Sequence, residues 1–265
     1  MYICDKSKQM KKHIFLLITT VSSVFFASCS SDDSSNTPPA DATRIKTITY
    51  TTYGGSSPTT TSGELHYSGN TIQSLTAETT HIEIVYSGNK VLETKHFSNN
   101  VLSRVNTYTY DGNNLEYVTS DDGERIYYTY NGNVLSQAKS QIFDGDVWTD
   151  YDMDAFVFSG GDLVQKTQTN FTFGGYQTRT DYTMDDKKNP TINMNPYLRL
   201  TLNVPGIHLL SNNNPTLAMI YAPALSTVPS AVQEYEYIYN ADGYPTSIVV
   251  MQNDALLSET LIEYL

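Results

Sequence analysis

Tyr110-Asp111-Gly112-Asn113-Asn114-Leu115 is the stretch that decides the fold. An aromatic residue is followed by four turn formers and then by an apolar residue at i+5. The pattern recurs as Tyr67-Ser68-Gly69-Asn70-Thr71-Ile72 and Tyr86-Ser87-Gly88-Asn89-Lys90-Val91. It returns at Phe97 to Leu102, Tyr130 to Leu135, Phe158 to Leu163 and Tyr239 to Tyr244. Gly and Asn tolerate positive φ, and Ser, Asp and Asn side chains bond their own backbone, so each cluster is a turn. The flanks alternate β-branched and aromatic residues at period two, as in Thr107-Tyr108-Thr109-Tyr110, which argues for strands. Each unit reads as a β-hairpin with a four-residue loop, its aromatic facing the i+5 residue across the strands. A single hairpin is marginal in water, so the copies are expected to pair side by side.

The fold class that follows is all-β: an antiparallel meander of repeated hairpins forming one large curved sheet or open barrel, over residues 44–265. The copying stops at Met184–Asn189, where the i+5 position is Asn189 rather than an apolar residue. Prolines 190, 196, 205, 215, 223 and 229 then crowd residues 190–230. Proline at that density argues against a central strand, and Pro196-Tyr197-Leu198 suits the first turn of a short helix. This stretch is expected to be a Pro-rich, partly helical insertion covering one face of the sheet.

The N-terminus carries an address. Lys11-Lys12 precedes an apolar run from Ile14 to Phe26, too short to span a bilayer comfortably, and the run ends in Phe26-Ala27-Ser28-Cys29. This resembles the bacterial lipoprotein signal, which implies cleavage after residue 28 and diacylglycerol attachment at Cys29. Met10 makes the better start of such a signal. Residues 29–43 lack apolar periodicity and read as a disordered tether with a reach of about 20 Å. Asp32-Asp33 resembles the surface-export signal of Bacteroidetes lipoproteins and implies an outer-membrane anchor facing outward, the alternative being a periplasm-facing one. The other cysteine, Cys4, falls in the leader, so the exported chain has no disulfide to staple it.

The formal net charge of −12 and a sequence pI near 4.7 exclude nucleic acid as a partner, because its phosphates would be repelled. No Gly-x-Ser-x-Gly elbow occurs, no cofactor motif is present, and nothing in one dimension pairs carboxylates for glycoside hydrolysis. Asp150, Asp152 and Asp154 alternate on a strand and are weak metal candidates; three carboxylates on a flat face cannot surround a hard cation. His81 and His96 count equally from the Tyr86–Val91 turn and are expected opposite each other, with Glu83 and Glu93 nearby. Trp148, Tyr151 and Tyr176 are weak candidates for stacking on a sugar ring.

The order of parts also resembles a family of Bacteroidetes lipoproteins whose domain of unknown function is described as porin-like in fold. The marks that carry it are Asn189-Pro190, Leu209-Leu210-Ser211, Asn213-Asn214-Pro215 and Asp242-Gly243-Tyr244-Pro245. The resemblance implies a curved antiparallel sheet with the insertion on its inner face, and it transfers no catalytic residue. A looser resemblance is to Tyr-Asp hairpin-repeat proteins. The expectation is a non-enzymatic, membrane-anchored surface lipoprotein that binds a glycan or envelope protein or acts as a scaffold. The alternative is a secreted hydrolase with carboxylates near the 190–230 insertion.

Overall fold

The computed structural model of the chain describes residues 43–265. The meander starts with β1 (Ile45–Thr52), β2 (Thr59–Ser68), β3 (Thr71–Ala77) and β4 (Thr80–Ser87). It continues through β5 (Lys90–Ser98), β6 (Val101–Asp111), β7 (Asn114–Ser120) and β8 (Glu124–Asn131). Next come β9 (Val134–Phe143), β10 (Trp148–Ser159), β11 (Asp162–Asn170) and β12 (Tyr176–Met184). After α1 (Pro196–Thr201) follow β13 (Pro215–Tyr221), β14 (Ala231–Tyr239), β15 (Pro245–Gln252) and β16 (Ala255–Tyr264). Every strand pairs antiparallel with its sequence neighbours, and β16 pairs with β1 from Tyr264↔Ile45 to Ser258↔Thr52. The sheet is therefore a closed barrel and not an open one. Closure satisfies both edge strands.

The i+5 pairing holds in six of the seven copies, among them Tyr67↔Ile72, Tyr86↔Val91, Tyr110↔Leu115 and Tyr130↔Leu135, but fails in the last, where Tyr239 pairs with Pro245 and not Tyr244. The loop between them is tighter than four residues. Asp111↔Asn114 also pair, leaving a two-residue turn with Gly112 at φ 58°. The mirror-image turns that two-residue hairpins use need positive φ there. Immediately beyond, Thr109 pairs with Tyr117, so Glu116 is an extra residue in β7. The same one-residue bulge falls at Gln73, Leu92, Ser103, Ser136 and Val164, and β15 bulges one position later, at Thr246. A bulge bends and twists its strand, and repeating it from hairpin to hairpin favours a sheet that curls until it meets itself.

The bulge also explains the tyrosines. Tyr86 Oη donates to the Ile72 carbonyl at 2.7 Å, and Tyr110 Oη donates to the Val91 carbonyl at 2.7 Å. Tyr130 likewise makes a backbone hydrogen bond at Leu115. Each hydroxyl thus reaches the apolar residue of the neighbouring unit at the same end of the barrel and ties those hairpins together. Tyr110→Phe should lower stability by about 1 kcal/mol, read as a fall in the urea midpoint. An unchanged midpoint would remove the tie from the explanation of the repeat.

The two-residue turns at 69–70, 88–89, 112–113, 132–133 and 160–161 lie at one end of the barrel, the short-turn end, and β1 begins there. The opposite, long-loop end carries residues 53–58, 144–147, 171–175 and 222–230, interspersed with short turns at 78–79, 99–100, 121–123 and 253–254. A barrel of sixteen strands encloses a wide lumen, and residues 185–214 enter it from the short-turn end. Their only helix among the described residues is α1, six residues long. Tyr197, Leu198, Leu202 and Val204 are buried against Ile45, Ile72, Val91, Leu115 and Ile262 of the wall. The insertion is a plug, not a cover on one face. It also ends earlier than the sequence suggested: Pro215 opens β13, a strand between β12 and β14. A proline at the first strand position sacrifices little of the ladder, so proline density misplaced the boundary.

Buried side-chain amides hold the plug. Asn189, 1% exposed, donates to the His208 carbonyl at 2.7 Å and accepts from the Thr191 backbone N–H and hydroxyl. Arg199 donates to the Leu209 and Ser211 carbonyls at 2.6 and 2.5 Å, and burial lowers its pKa to about 10. Asp162 accepts from the backbone N–H groups of Asn212 and Asn213. Tyr244 accepts from Asn193 Nδ2 at 3.0 Å, and Lys188 N–H donates to the Gly243 carbonyl. Of the marks of the resemblance, Asn189 thus fastens the plug to itself, and Gly243 and Tyr244 fasten it to the wall.

Candidate functional site

Strand alternation separates two surfaces, and their chemistry differs. The outer wall is polar nearly all the way round. Thr47 donates to Glu263, Thr49 meets Ser62, His66 meets Thr76, and Tyr127 donates to Glu116. Lys139 pairs with Asp150 at 3.1 Å, Arg179 with Asp181 at 3.2 Å and Lys95 with Glu93 at 3.9 Å. A membrane-spanning barrel needs an apolar band about 25 Å tall, and a Lys or Arg at the bilayer midplane costs roughly 2–4 kcal/mol. Charges in the middle of β5, β9 and β12 break any such band. The outer surface suits water.

The lumen divides into halves. Toward the short-turn end it is apolar and filled by the plug. Toward the long-loop end the inward side chains become polar: His96, Arg104, Asn106, Glu124, Asp152, Asp154, Lys166 and Gln168. The plug turns back near Gly206, which touches Thr260 and Tyr50 of the wall. A polar cup is left above it. Three adjoining cavities of about 320, 290 and 240 Å³ make up this space. The first two share Ile126, Tyr128 and Leu202, and the first and third share Ile207 and His208. Arg104 and Glu124 line the cup near the rim and keep 35% and 39% of their side-chain surface exposed, so the cup is open to water there.

In one lobe, Arg104 pairs with Glu124 at 2.9 Å and bonds Asn106, which with Thr94 contacts His96 Nε2. Burial, then the nearby Arg104, lowers the His96 pKa. In the largest lobe, Lys166 pairs with Asp154 at 3.5 Å, and Gln168 donates to Asp152 at 2.8 Å. Burial raises the Asp154 carboxyl above the usual range, against the lowering effect of Lys166. His208 lies edge-on to Tyr182 with ring centroids 4.6 Å apart, and burial pushes its pKa down to about 4. The Tyr128 hydroxyl and Asp154 Oδ1 are buried without a hydrogen-bond partner.

The weak candidates from sequence are dispersed. Asp150 pairs with Gln141 but Asp152 with Ser140, so Tyr151 is a bulge. Asp150 consequently faces out, beside Lys139, while Asp152 and Asp154 face the lumen. Among the described residues no group of three His, Cys, Asp or Glu could hold a metal ion. The bulge at Leu92 likewise offsets the histidines: His96 pairs with Ile82 and faces in, whereas His81 pairs with Phe97 and faces out beside Glu83. Trp148 stacks under Arg125 at 4.3 Å and beside Phe143. Tyr176 stands two strands away on β12, so the three proposed stacking residues form no single patch. Cys29, the leader and the tether lie outside the described residues.

No protein-family model matches the chain, and no curated protein matches it. Solved structures do. The chain is similar to a porin-like protein from Bacteroides uniformis, with TM-score 0.54 and 13% identity over 83% of this chain and 98% of that one. A porin-like protein from Bacteroides vulgatus gives TM-score 0.48 and 14% identity, covering 84% and 99%. At 13% identity the first likeness shows the fold.

Proposed function

We propose that this chain is a non-enzymatic binding barrel of the cell envelope, anchored through lipid at Cys29, that takes a glycan-class ligand into its open cup. The carrying observation is the combination of a water-suited outer wall with a lumen plugged at one end and polar at the other. A wall with mid-strand charges does not serve as a transmembrane channel. β1 starts at the plugged end, so the cup opens at the end opposite the one where the chain enters the barrel. Asp152 and Asp154 already hold Gln168 and Lys166, which favours holding a ligand over moving protons, the hydrolase alternative.

The test has two arms. The purified chain should give no conductance steps in planar bilayers, and Cys29→Ala should move the protein from the membrane fraction to the soluble one. Stable pores, or membrane retention of the variant, would refute the proposal. A scaffold role draws on a separate observation. Phe173, Leu225 and Val228 are 77%, 91% and 71% exposed on neighbouring long-end loops, and exposed apolar groups of this kind suit an envelope-protein contact.

A further inference from the structure

The largest lobe of the cup is built like a small-molecule site. It holds about 320 Å³, at the lower end of the range for ligand pockets. Its walls alternate apolar surface, from Ile126, Phe156 and Leu209, with a compact polar cluster on the β8–β11 side. The formal charges around the lobe cancel, Lys166 and Arg199 against Asp152 and Asp154; Lys166 lies 3.5 Å from Asp154, and their side chains retain 32% and 28% exposure. The pair is reachable from the cavity and carries little net charge. An anion would meet Asp152 and Asp154, and a cation would meet Lys166 and Arg199.

Two polar atoms there are left over. Tyr128 is 4% exposed, and its hydroxyl has no partner, nor has Asp154 Oδ1. A buried polar atom without a hydrogen bond costs stability, and a ligand hydroxyl can both accept from one such atom and donate to another. From cavity size, cancelled charge and the mixture of donors and acceptors, we infer that this lobe binds a neutral, polyhydroxylated ring of monosaccharide size, with Tyr128, Asp154 and Lys166 as its polar contacts. Phe156 and Leu209 offer the apolar faces against which ring C–H groups rest. This inference rests on the glycan-binding reading and assigns it a place.

Purified full chain is titrated with glucose, galactose, mannose and N-acetylglucosamine, and with glucuronate and glucosamine as charged controls, by calorimetry and saturation-transfer NMR. At least one neutral sugar should bind, with the charged controls weaker. Lys166→Gln and Asp154→Asn should each weaken binding about tenfold, as loss of a charge-assisted contact implies. Tyr128→Phe removes a hydroxyl that the fold does not use, so its melting temperature should be kept or raised while affinity falls. That variant separates the site from a folding defect. Neutral-sugar binding that survives all three substitutions overturns the lobe but leaves glycan binding standing. No binding of any neutral sugar overturns both, and preference for glucuronate or glucosamine overturns the charge argument.

Discussion

Gly206→Ala should cost about 2–5 kcal/mol and lower the unfolding midpoint more than removal of any single wall hydroxyl. Two independent effects add there. Gly206 sits at φ 74°, where a side chain costs about 1–2 kcal/mol. An added Cβ would also lie 2.1 Å from Thr260 Oγ1 and 3.0 Å from the Tyr50 ring, and overpacking a dense core costs roughly 1–3 kcal/mol. Thr260 is 0% exposed, and its β-branch leaves few rotamers to escape into. The plug reverses direction at this residue, so the clash cannot be relieved without unseating the chain on either side. A double variant with Thr260→Ala separates the two effects. It should recover the steric part and keep the φ part, giving clear non-additivity. Additive losses, or a Gly206→Ala midpoint equal to the parent's, would mean the plug is not seated against β16.

What was legible in the sequence was the local part of the fold. The Tyr110–Leu115 unit announced strands, turns and an i+5 pairing because each is set by neighbouring residues. The bulge at i+6 was not legible. Its residues are Gln73, Leu92, Ser103, Glu116, Ser136 and Val164, which share no property a reader could match. That one hidden residue per hairpin reverses every face assignment beyond it. It is why His81 and His96 part, and a further bulge at Tyr151 is why Asp150 leaves Asp152 and Asp154. Closure was hidden for a different reason: the pairing of Tyr264 with Ile45 joins the two ends of the domain, and neither end carries a mark of it. The plug was visible as a break in the copying. Its inward course was given only by the resemblance, since Asn189, Arg199 and Asn214 look like surface residues until the carbonyls they serve are known. The cup had no sequence signal at all. Tyr128, Asp154, Lys166 and His208 come from three strands and the plug, and each alone reads as an ordinary residue.

His208 makes the seating of the plug dependent on acid. Its imidazole is buried between the plug and the wall beside Tyr182 and near Lys166, and both burial and that charge oppose protonation. The folded pKa is about 4, against about 6.5 in the unfolded chain. Between those values the unfolded state binds a proton that the folded state refuses. Stability is therefore full above pH 6.5 and declines as pH falls toward 4, by on the order of 3 kcal/mol in total and about 2 kcal/mol at pH 5. Asp154 works in the opposite direction. Its folded pKa is raised, so the folded state takes up a proton first, and acid favours folding through that group. A comparison of the parent with His208→Gln isolates the imidazole, because Asp154 is common to both. Urea midpoints measured at pH 7.5 and pH 5.0 should fall further in the parent than in the variant, although the variant begins lower at neutral pH through loss of the ring packing. Equal falls in the two proteins would show that acid acts elsewhere. A smaller fall in the parent would show that His208 is protonated in the folded barrel, which would in turn require an anionic partner on the wall facing it.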